Sequence, residues 1–472
     1  MSARATLGRV WLGVLGIVAG TVYGCGSPNV ALGAVVSGLG VALLSRRRSP
    51  CRLGGLVLVA FAFGSIGAAL RCSIDSALTT MAHDTPRCEI AGRVLESAGG
   101  LGTLVSAVSA RCDGYRGVRD AGVLVLDGDV GDAGSPIEAR GWLLPLRDDT
   151  FDLARARLGA NAYFDVATLH LSRPDAPLLA AAALIKSGLL RATSRLDKPQ
   201  ASLLQGLTIG DTEGFDDQTL ESFRRAGLSH LLAVSGENVA IVLGAIAVGA
   251  RALGLRLRLA LAVIGLVLFV VVVGPEPSVL RAAIMGAIGL AALAFGRKAE
   301  PLHALGLALI VLIALRPGMV YSVALQLSAA ATAGIVLWSA SLAHRFGRVL
   351  PRTLALGLSA TLSAQSAVAP VLIATFGQVS VVGPLSNLLA LPAVAPATII
   401  GLVAGVAGIV NGSVGALLAR CAAPFAAWIL WVARVFGSAR GAAVDLPNWT
   451  AWLAALPVTA GAIRTLRGHS AS

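Results

Sequence analysis

The chain has 472 residues, 56% of them hydrophobic and only 13% charged, and its mean hydropathy is +0.78. Soluble domains carry roughly a quarter charged residues, so this composition excludes a string of water-soluble domains; apolar runs of about twenty residues, the length of a hydrocarbon core, recur instead. The formal charge of +13 does not by itself mark a nucleic-acid binder, because residues 71–200 hold 15 Lys/Arg against 16 Asp/Glu and the excess lies in the rest of the chain. Most of those cations sit between or beside apolar segments, where basic residues flag cytoplasmic loops.

Three apolar stretches open the chain, near 9–24, 29–45 and 53–70. Arg4 and Arg9 precede the first, the loop at Cys25–Asn29 has no cation, and Arg46-Arg47-Arg48 with Arg52 separates the second from the third. This pattern predicts a cytoplasmic N-terminus, and residues 71–172 then follow on the non-cytoplasmic side. The first stretch is read as a retained span rather than a cleaved leader, since Gly16, Gly20 and Gly24 repeat at a spacing suited to close helix packing.

Between 71 and 172 the long apolar blocks give way to short alternating runs rich in Val and Thr, as strands require. Candidate strands are 87–96, 103–111, 121–127, 136–146 and 161–171, punctuated by Gly99-Gly100, Asp113-Gly114 and Asp127-Gly128. Five short strands in about a hundred residues predict a small closed barrel, for which an OB-type barrel is one natural solution. Cys88 and Cys112 are the expected disulfide, permitted in an oxidising compartment, with Cys72 as a competing partner. Cys51 and Cys421 are read as ordinary thiols, and no Cys or His spacing resembles a metal site.

Residues 173–227 form the next division, in which 177–196, Ala-rich with Lys186, Arg191 and Arg195, predicts an amphipathic helix lying along the membrane interface. Apolar spans resume near 228–250, 259–274, 278–296, 302–316, 320–343, 354–376, 380–410, 414–438 and 448–464. Basic clusters at Arg251/Arg256/Arg258, Arg297/Lys298 and Arg345/Arg348/Arg352 follow every second span, which places those loops and the Arg464/Arg467 tail in the cytoplasm. The segment 380–410 carries Pro384, Pro392 and Pro396 and predicts a broken or re-entrant helix. The fold class is therefore a polytopic α-helical membrane protein of about ten to twelve spans with an inserted extracytoplasmic all-β OB-like domain. Its divisions are 1–70, N-terminal membrane helices; 71–172, the OB-like domain; 173–227, an interfacial linker; and 228–472, the main membrane domain.

The stretch LLQGLTIGDTEGFDDQTLESFRRAGLSHLLAVSGENVA at 203–240 concentrates polar groups at the head of a span. Ionisable groups at membrane depth carry a high free-energy cost, so His230, Ser235, Glu237 and Asn238 are expected to face the bundle interior or a water-filled route. The bland reading has Ser and Asn bonding neighbouring helices and Glu237 paired with an arginine. A Ser235/His230 catalytic dyad is not expected, because five residues put the two over a helix turn apart and no third orienting group is evident.

This stretch resembles the ComEC-type competence family, membrane channels that admit transforming DNA into bacteria. Asp211, Arg224, Gly227, Ser229, His230, Ser235 and Gly236 fit the family's signature in order. Downstream, Pro277 with Arg281-Ala282, Gln326-Leu327-Ser328, and Gly383-Pro384 with Asn387 resemble three further family elements, while Phe151-Asp152 and Leu158-Gly159 resemble the end of its outside OB domain. Asn238 departs from the family's frequent histidine and Ser322 from its aspartate. Many members continue into a metallo-β-lactamase-like domain, but this sequence has no His-x-His-x-Asp-His cluster and only six histidines, so zinc-dependent strand cleavage has no ligands in it.

The resemblance implies a non-enzymatic inner-membrane channel that imports single-stranded DNA during natural transformation, without a cofactor or metal. Its partners would be single-stranded DNA, membrane lipids, a separate DNA-receptor protein, a cytoplasmic ATPase and a separate nuclease. The sequence has no phosphate-binding Gly-x-x-x-x-Gly-Lys-Ser/Thr motif and only three lysines, so the driving force has to come from elsewhere. A strand needs cations for its phosphates and a polar route. The expected path residues are Arg224, Arg225, His230, Ser235, Gly236, Asn238, Arg281, Gln326 and Asn387, with Gln365 and Gln378 beside them. Arg281 is as readily explained by an ion pair with Glu276 or Glu237. The rival function is a multi-pass transporter of a small anionic solute or lipid, which predicts a closed midplane pocket.

Overall fold

The computed structural model describes residues 77–97, 102–115, 117–128, 130, 135–146, 160–171, 176–212, 214–232, 234–316, 319–320, 322–447, 449–451, 453–456 and 458. The three N-terminal spans, Cys72, the Phe151-Asp152 and Leu158-Gly159 pairs and the end of the 448–464 run lie outside the described residues. Two compact units emerge, one built on the β domain with Gly274–Glu276 and Leu309–Ser322, and one on the helices of Leu184–Val273, Pro277–Ala308 and the chain from Val323.

In the first unit the alternation of the sequence becomes a barrel. Strands β1 (Arg87–Ser97), β2 (Thr103–Cys112), β3 (Val118–Leu126), β4 (Pro136–Leu144) and β5 (Ala162–Leu171) close in the order β1-β2-β3-β5-β4, β4 returning to β1. All pairs are antiparallel except β3 with β5, which is the topology of an OB-like barrel. Along β4 the side chains alternate as the pleat demands, Ile137, Ala139 and Leu143 buried and Glu138, Arg140 and Trp142 exposed. The helix α1 (Ala77–Ala82) inserts Leu78, Met81 and Ala82 into the same core as Ile90, Leu124, Ile137 and Phe164. Cys88 and Cys112 face each other across β1 and β2 and form the expected disulfide.

The helices are α2 (Pro177–Thr193), α3 (Lys198–Ile209), α4 (Asp217–Ala226), a single 3₁₀ turn at Ser229–Leu231, α5 (Gly236–Gly249), α6 (Leu255–Val273), α7 (Pro277–Ala294), α8 (Pro301–Leu315), α9 (Val323–Phe346) and α10 (Arg352–Phe376). A short strand β6 (Gln378–Ser380) precedes α11 (Gly383–Val410) and α12 (Gly412–Gly437), and pairs with β7 (Ala443–Asp445). Six of these, α6, α7 and α9 to α12, are long and apolar enough to cross a membrane, and α5 and α8 are shorter apolar helices. Their outward faces keep large apolar side chains exposed, Ile264, Leu293 and Val410 among them, as lipid contact requires. The fold class is that of a polytopic helical membrane protein carrying an inserted OB-like domain.

Inside the second unit the centre is α3, α4, α11 and α12. Leu203, Leu204 and Leu207 of α3 and Phe223 and Ala226 of α4 pack on Ala390, Ala393, Val394 and Ala397 of α11 and on Ala422, Ala426 and Ile429 of α12. The C-terminal part of α2 joins them by backbone approach, a Cβ on Gly188 colliding with the Gly405 carbonyl oxygen.

Two expectations need correction. The run 228–250 is not one helix, because the chain turns at Ser229–Leu231 and restarts at Gly236, with the Ser235 hydroxyl capping α5 through the Glu237 N–H at 3.2 Å. The run 380–410 is neither broken nor re-entrant. Pro384 sits in the first turn of α11, where no N–H bond is lost, and Pro392 and Pro396 lie within a continuous helix. Each interior proline removes one hydrogen bond, and the buried Ala390–Ala397 face against α3 and α12 holds the helix together regardless.

Candidate functional site

The polar motif residues gather at two places in the helical unit. At the first, the end of α4 is grasped by β6 and the start of α11. Gly227 ends α4 in the left-handed region at φ 72°, and its N–H returns to Arg224 O and Phe223 O. That conformation turns the last carbonyls of the helix outward, and neighbouring side chains satisfy them. Ser380 Oγ donates to Arg225 O at 2.8 Å, Ser386 Oγ to Ala226 O at 2.5 Å, and Asn387 Nδ2 to Gly227 O at 3.3 Å and to Gly383 O at 2.8 Å. Gln365 of α10 donates to Ser380 O, and Arg225 Nη2 reaches Ala439 O at 3.4 Å. Ser386 is fully buried and Asn387 nearly so, which identifies this as a packed polar junction.

The second place lies at the start of α5. Asn238 is 1% exposed and donates from Nδ2 to Leu207 O at 3.0 Å, tying α5 to α3. One turn into α7, Arg281 is only 5% exposed. Its Nε donates to Ser328 Oγ of α9 at 3.0 Å and its Nη1 contacts Met285 Sδ at 3.1 Å. Among the described residues it has no carboxylate within ion-pair distance, so the expected pairing with Glu276 or Glu237 is not made. Gly236 permits the arrangement, since a Cβ there would stand 2.6 Å from Arg281 Nη2 and 3.1 Å from the Ala282 methyl. A buried guanidinium held by one hydroxyl and one thioether keeps its charge unneutralised in a low-dielectric setting, where an anion is bound far more strongly than in water.

The remaining expected residues are dispersed. Arg224 is exposed and bonded through Nε to Glu221 Oε2 at 2.8 Å, a pair that holds the Glu221 carboxyl below its ordinary range. His230 is exposed on the 3₁₀ turn, Ser235 serves as the α5 cap, and Gln326 is exposed two residues before Ser328 on α9. Gly236, Asn238 and Arg281 are thus brought to one region, while Arg225 and Asn387 belong to the α4 junction. The sequence reading missed Ser380, Ser386 and Met285; Ser386 lies within the Gly383–Asn387 segment that the resemblance had marked, whereas an isolated serine at 380 and a lone methionine carry no pattern that could have announced them. No group of three or more His, Cys, Asp or Glu side chains able to hold a metal occurs among the described residues.

Comparison with known proteins completes the description. The family model described as Competence protein matches residues 207–468, from the end of α3 through the whole of the remaining helical unit. ComE operon protein 3 of Bacillus subtilis (strain 168) is 31% identical over 215 residues, an alignment that covers 45% of this chain and 27% of the relative's length. No solved structure matches the chain.

Proposed function

The chain belongs to the competence protein family, and from that premise we propose that it is a channel of the cytoplasmic membrane that admits single-stranded DNA to the cell during natural transformation. The observation that carries this reading is Arg281. A guanidinium 5% exposed and without a carboxylate partner among the described residues is a free positive charge inside an apolar bundle. Buried unpaired charge costs several kcal/mol in ordinary proteins, and within membrane segments it marks an ion or substrate route. A phosphodiester is the anion such a site suits. The helical unit supplies the channel, residues 71–172 lie on the outer face as the charge pattern of the flanking loops requires, and the C-terminus lies in the cytoplasm. On this reading the expected partners are a cytoplasmic ATPase, a nuclease and a DNA receptor.

The test uses cells deleted for the gene and complemented with wild type, Arg281→Lys or Arg281→Gln at matched membrane abundance. Labelled DNA is scored as surface-bound and as nuclease-protected in the cytoplasm. Surface binding persists in all strains; protected DNA disappears in the deletion and falls at least tenfold in Arg281→Gln, with partial retention in Arg281→Lys. Protected uptake that is unchanged in the deletion would sink the channel reading.

A further inference from the structure

We propose that the turn between α9 and α10 holds the headgroup of an anionic phospholipid. The turn carries a cleft of about 440 Å³ lined by Ala343, His344, Gly347, Arg348, Arg352 and Leu356. His344 closes the last turn of α9, Arg348 lies in the connection and Arg352 opens α10, and all three side chains are exposed. Small and apolar residues form the rest of the wall, with Ala355 buried at its floor.

Among the described residues no carboxylate supplies the counter-charge for this cluster. Between Glu300 and Asp445 the sequence contains no Asp or Glu at all. Among the described residues none of His344, Arg348 and Arg352 takes part in an ion pair. Helix α10 also begins at Pro351 without a side-chain cap, so its first N–H groups add positive potential to the same cleft.

Position selects a lipid over a nucleic-acid strand. The helices α9 and α10 have 24 and 25 residues, about 36 Å each at 1.5 Å per residue. Helices of that length traverse a core of about 30 Å and leave their connection at headgroup level. The apolar residues beside the cations agree with that depth. Val349 at the tip is 86% exposed, and Leu354 and Leu356 on the first turns of α10 are 44% and 51% exposed. Side chains of this kind insert among acyl chains, whereas a strand-binding surface presents aromatic stacking faces beside its cations. The cleft, with two arginines and a histidine above apolar walls, matches a phosphate above two acyl chains.

The inference is independent of the channel reading, since it concerns lipid binding by the full-length chain. The purified protein in neutral detergent is titrated with dioctanoyl phosphatidylglycerol or dioctanoyl phosphatidylcholine, and bound lipid is counted by native mass spectrometry. Phosphatidylglycerol binds at least tenfold more tightly than phosphatidylcholine. Arg348→Gln with Arg352→Gln removes about thirtyfold of that affinity, from about fivefold per basic side chain at a membrane surface. Arg251→Gln with Arg256→Gln, exposed between the end of α5 and the first turn of α6, leaves it intact. Equal binding of the two lipids, or an unchanged affinity in the Arg348/Arg352 double variant, overturns the proposal. So does an oligothymidylate that displaces phosphatidylglycerol and itself depends on Arg348 and Arg352, which would assign the cleft to nucleic acid.

Discussion

Gly227→Ala tests whether the α4 junction is a rigid packed joint. Two effects act at this position. The backbone is left-handed at φ 72°, where an L-residue with a Cβ costs about 1–2 kcal/mol, offset by about 0.4–1 kcal/mol from the reduced freedom of the unfolded chain. The Cβ would also stand 2.9 Å from Ser380 Cβ and 3.0 Å from Gly383 Cα. One of these is backbone, and both belong to residues already fixed by the hydrogen bonds of Ser380, Ser386 and Asn387. Overpacking of that kind adds about 1–3 kcal/mol. Gly210 supplies the internal control. It ends α3 at a similar φ of 80°, but a Cβ there meets its nearest atoms, Val273 Cγ1 and Val234 Cγ2, at 3.7 and 3.8 Å, ordinary contact distances. Gly210→Ala therefore reports backbone strain alone, about 1 kcal/mol or less after the offset. Gly227→Ala reports strain plus collision, about 2–4 kcal/mol. Equilibrium unfolding in mixed detergent–SDS micelles, followed by the helical circular dichroism signal, measures both. If the two variants lose equal stability, the packed joint does not exist as described and α4 is only loosely docked.

Two further outcomes follow from the described geometry. The Cys88–Cys112 bridge spans 24 residues, for which loop-closure entropy gives about 3.5 kcal/mol; reducing the full-length protein should speed amide exchange in the barrel strands by up to a few hundredfold while leaving α9–α12 unchanged, and unaltered strand exchange would refute a stabilising bridge. At the start of α4, hydrogen bonding from Thr219, its side chain foremost and then its N–H at 3.1 Å, holds the Asp216 carboxyl below its ordinary value. A lowered folded-state pKa gives stability that is complete above the ordinary carboxylate range and lost as pH falls through the folded value; amide protection in the first turn of α4 should therefore decline only below about pH 4, and Asp216→Asn should flatten that dependence.

The barrel was legible because burial in its strands follows a period, and the long helices because their apolar runs match the thickness of a hydrocarbon core. Ile137, Ala139 and Leu143 alternate with Glu138, Arg140 and Trp142 on β4, so the strands and their approximate positions can be read from the sequence, while β3 starts three residues before the expected 121. The break at 229–235 was hidden because Leu231, Leu232 and Val234 are as apolar as any span yet pack as a turn; only the Ser235 cap marks the restart. The prolines of α11 misled for the opposite reason. They state a local preference for a break, and side-chain packing over Ala390–Ala397 outweighs it. The α4 junction was opaque because Ser380, Ser386 and Asn387 donate to backbone carbonyls, and a carbonyl acceptor leaves no residue type to read.

Arg281 shows where composition stops and geometry begins. As a sequence, an arginine with Glu237 and Glu276 nearby is explained as readily by an ion pair as by a path role, and pairing would make it a purely structural element. The fold withholds both carboxylates from it and gives its five donors a hydroxyl and a thioether instead. Arg224 is the useful contrast, since it is exposed and already neutralised by Glu221, a surface pair of the kind that contributes little to stability. Of the two, only the buried residue lacks a carboxylate partner among the described residues, and the proposed anion route rests on that difference. The absence of a side chain at Gly236 extends the same logic, because the van der Waals volume of one methyl group there would press on the guanidinium. Gly236 and Arg281 thus meet across two helices, and among the described residues Arg281 is the buried cation on which the proposed anion route rests.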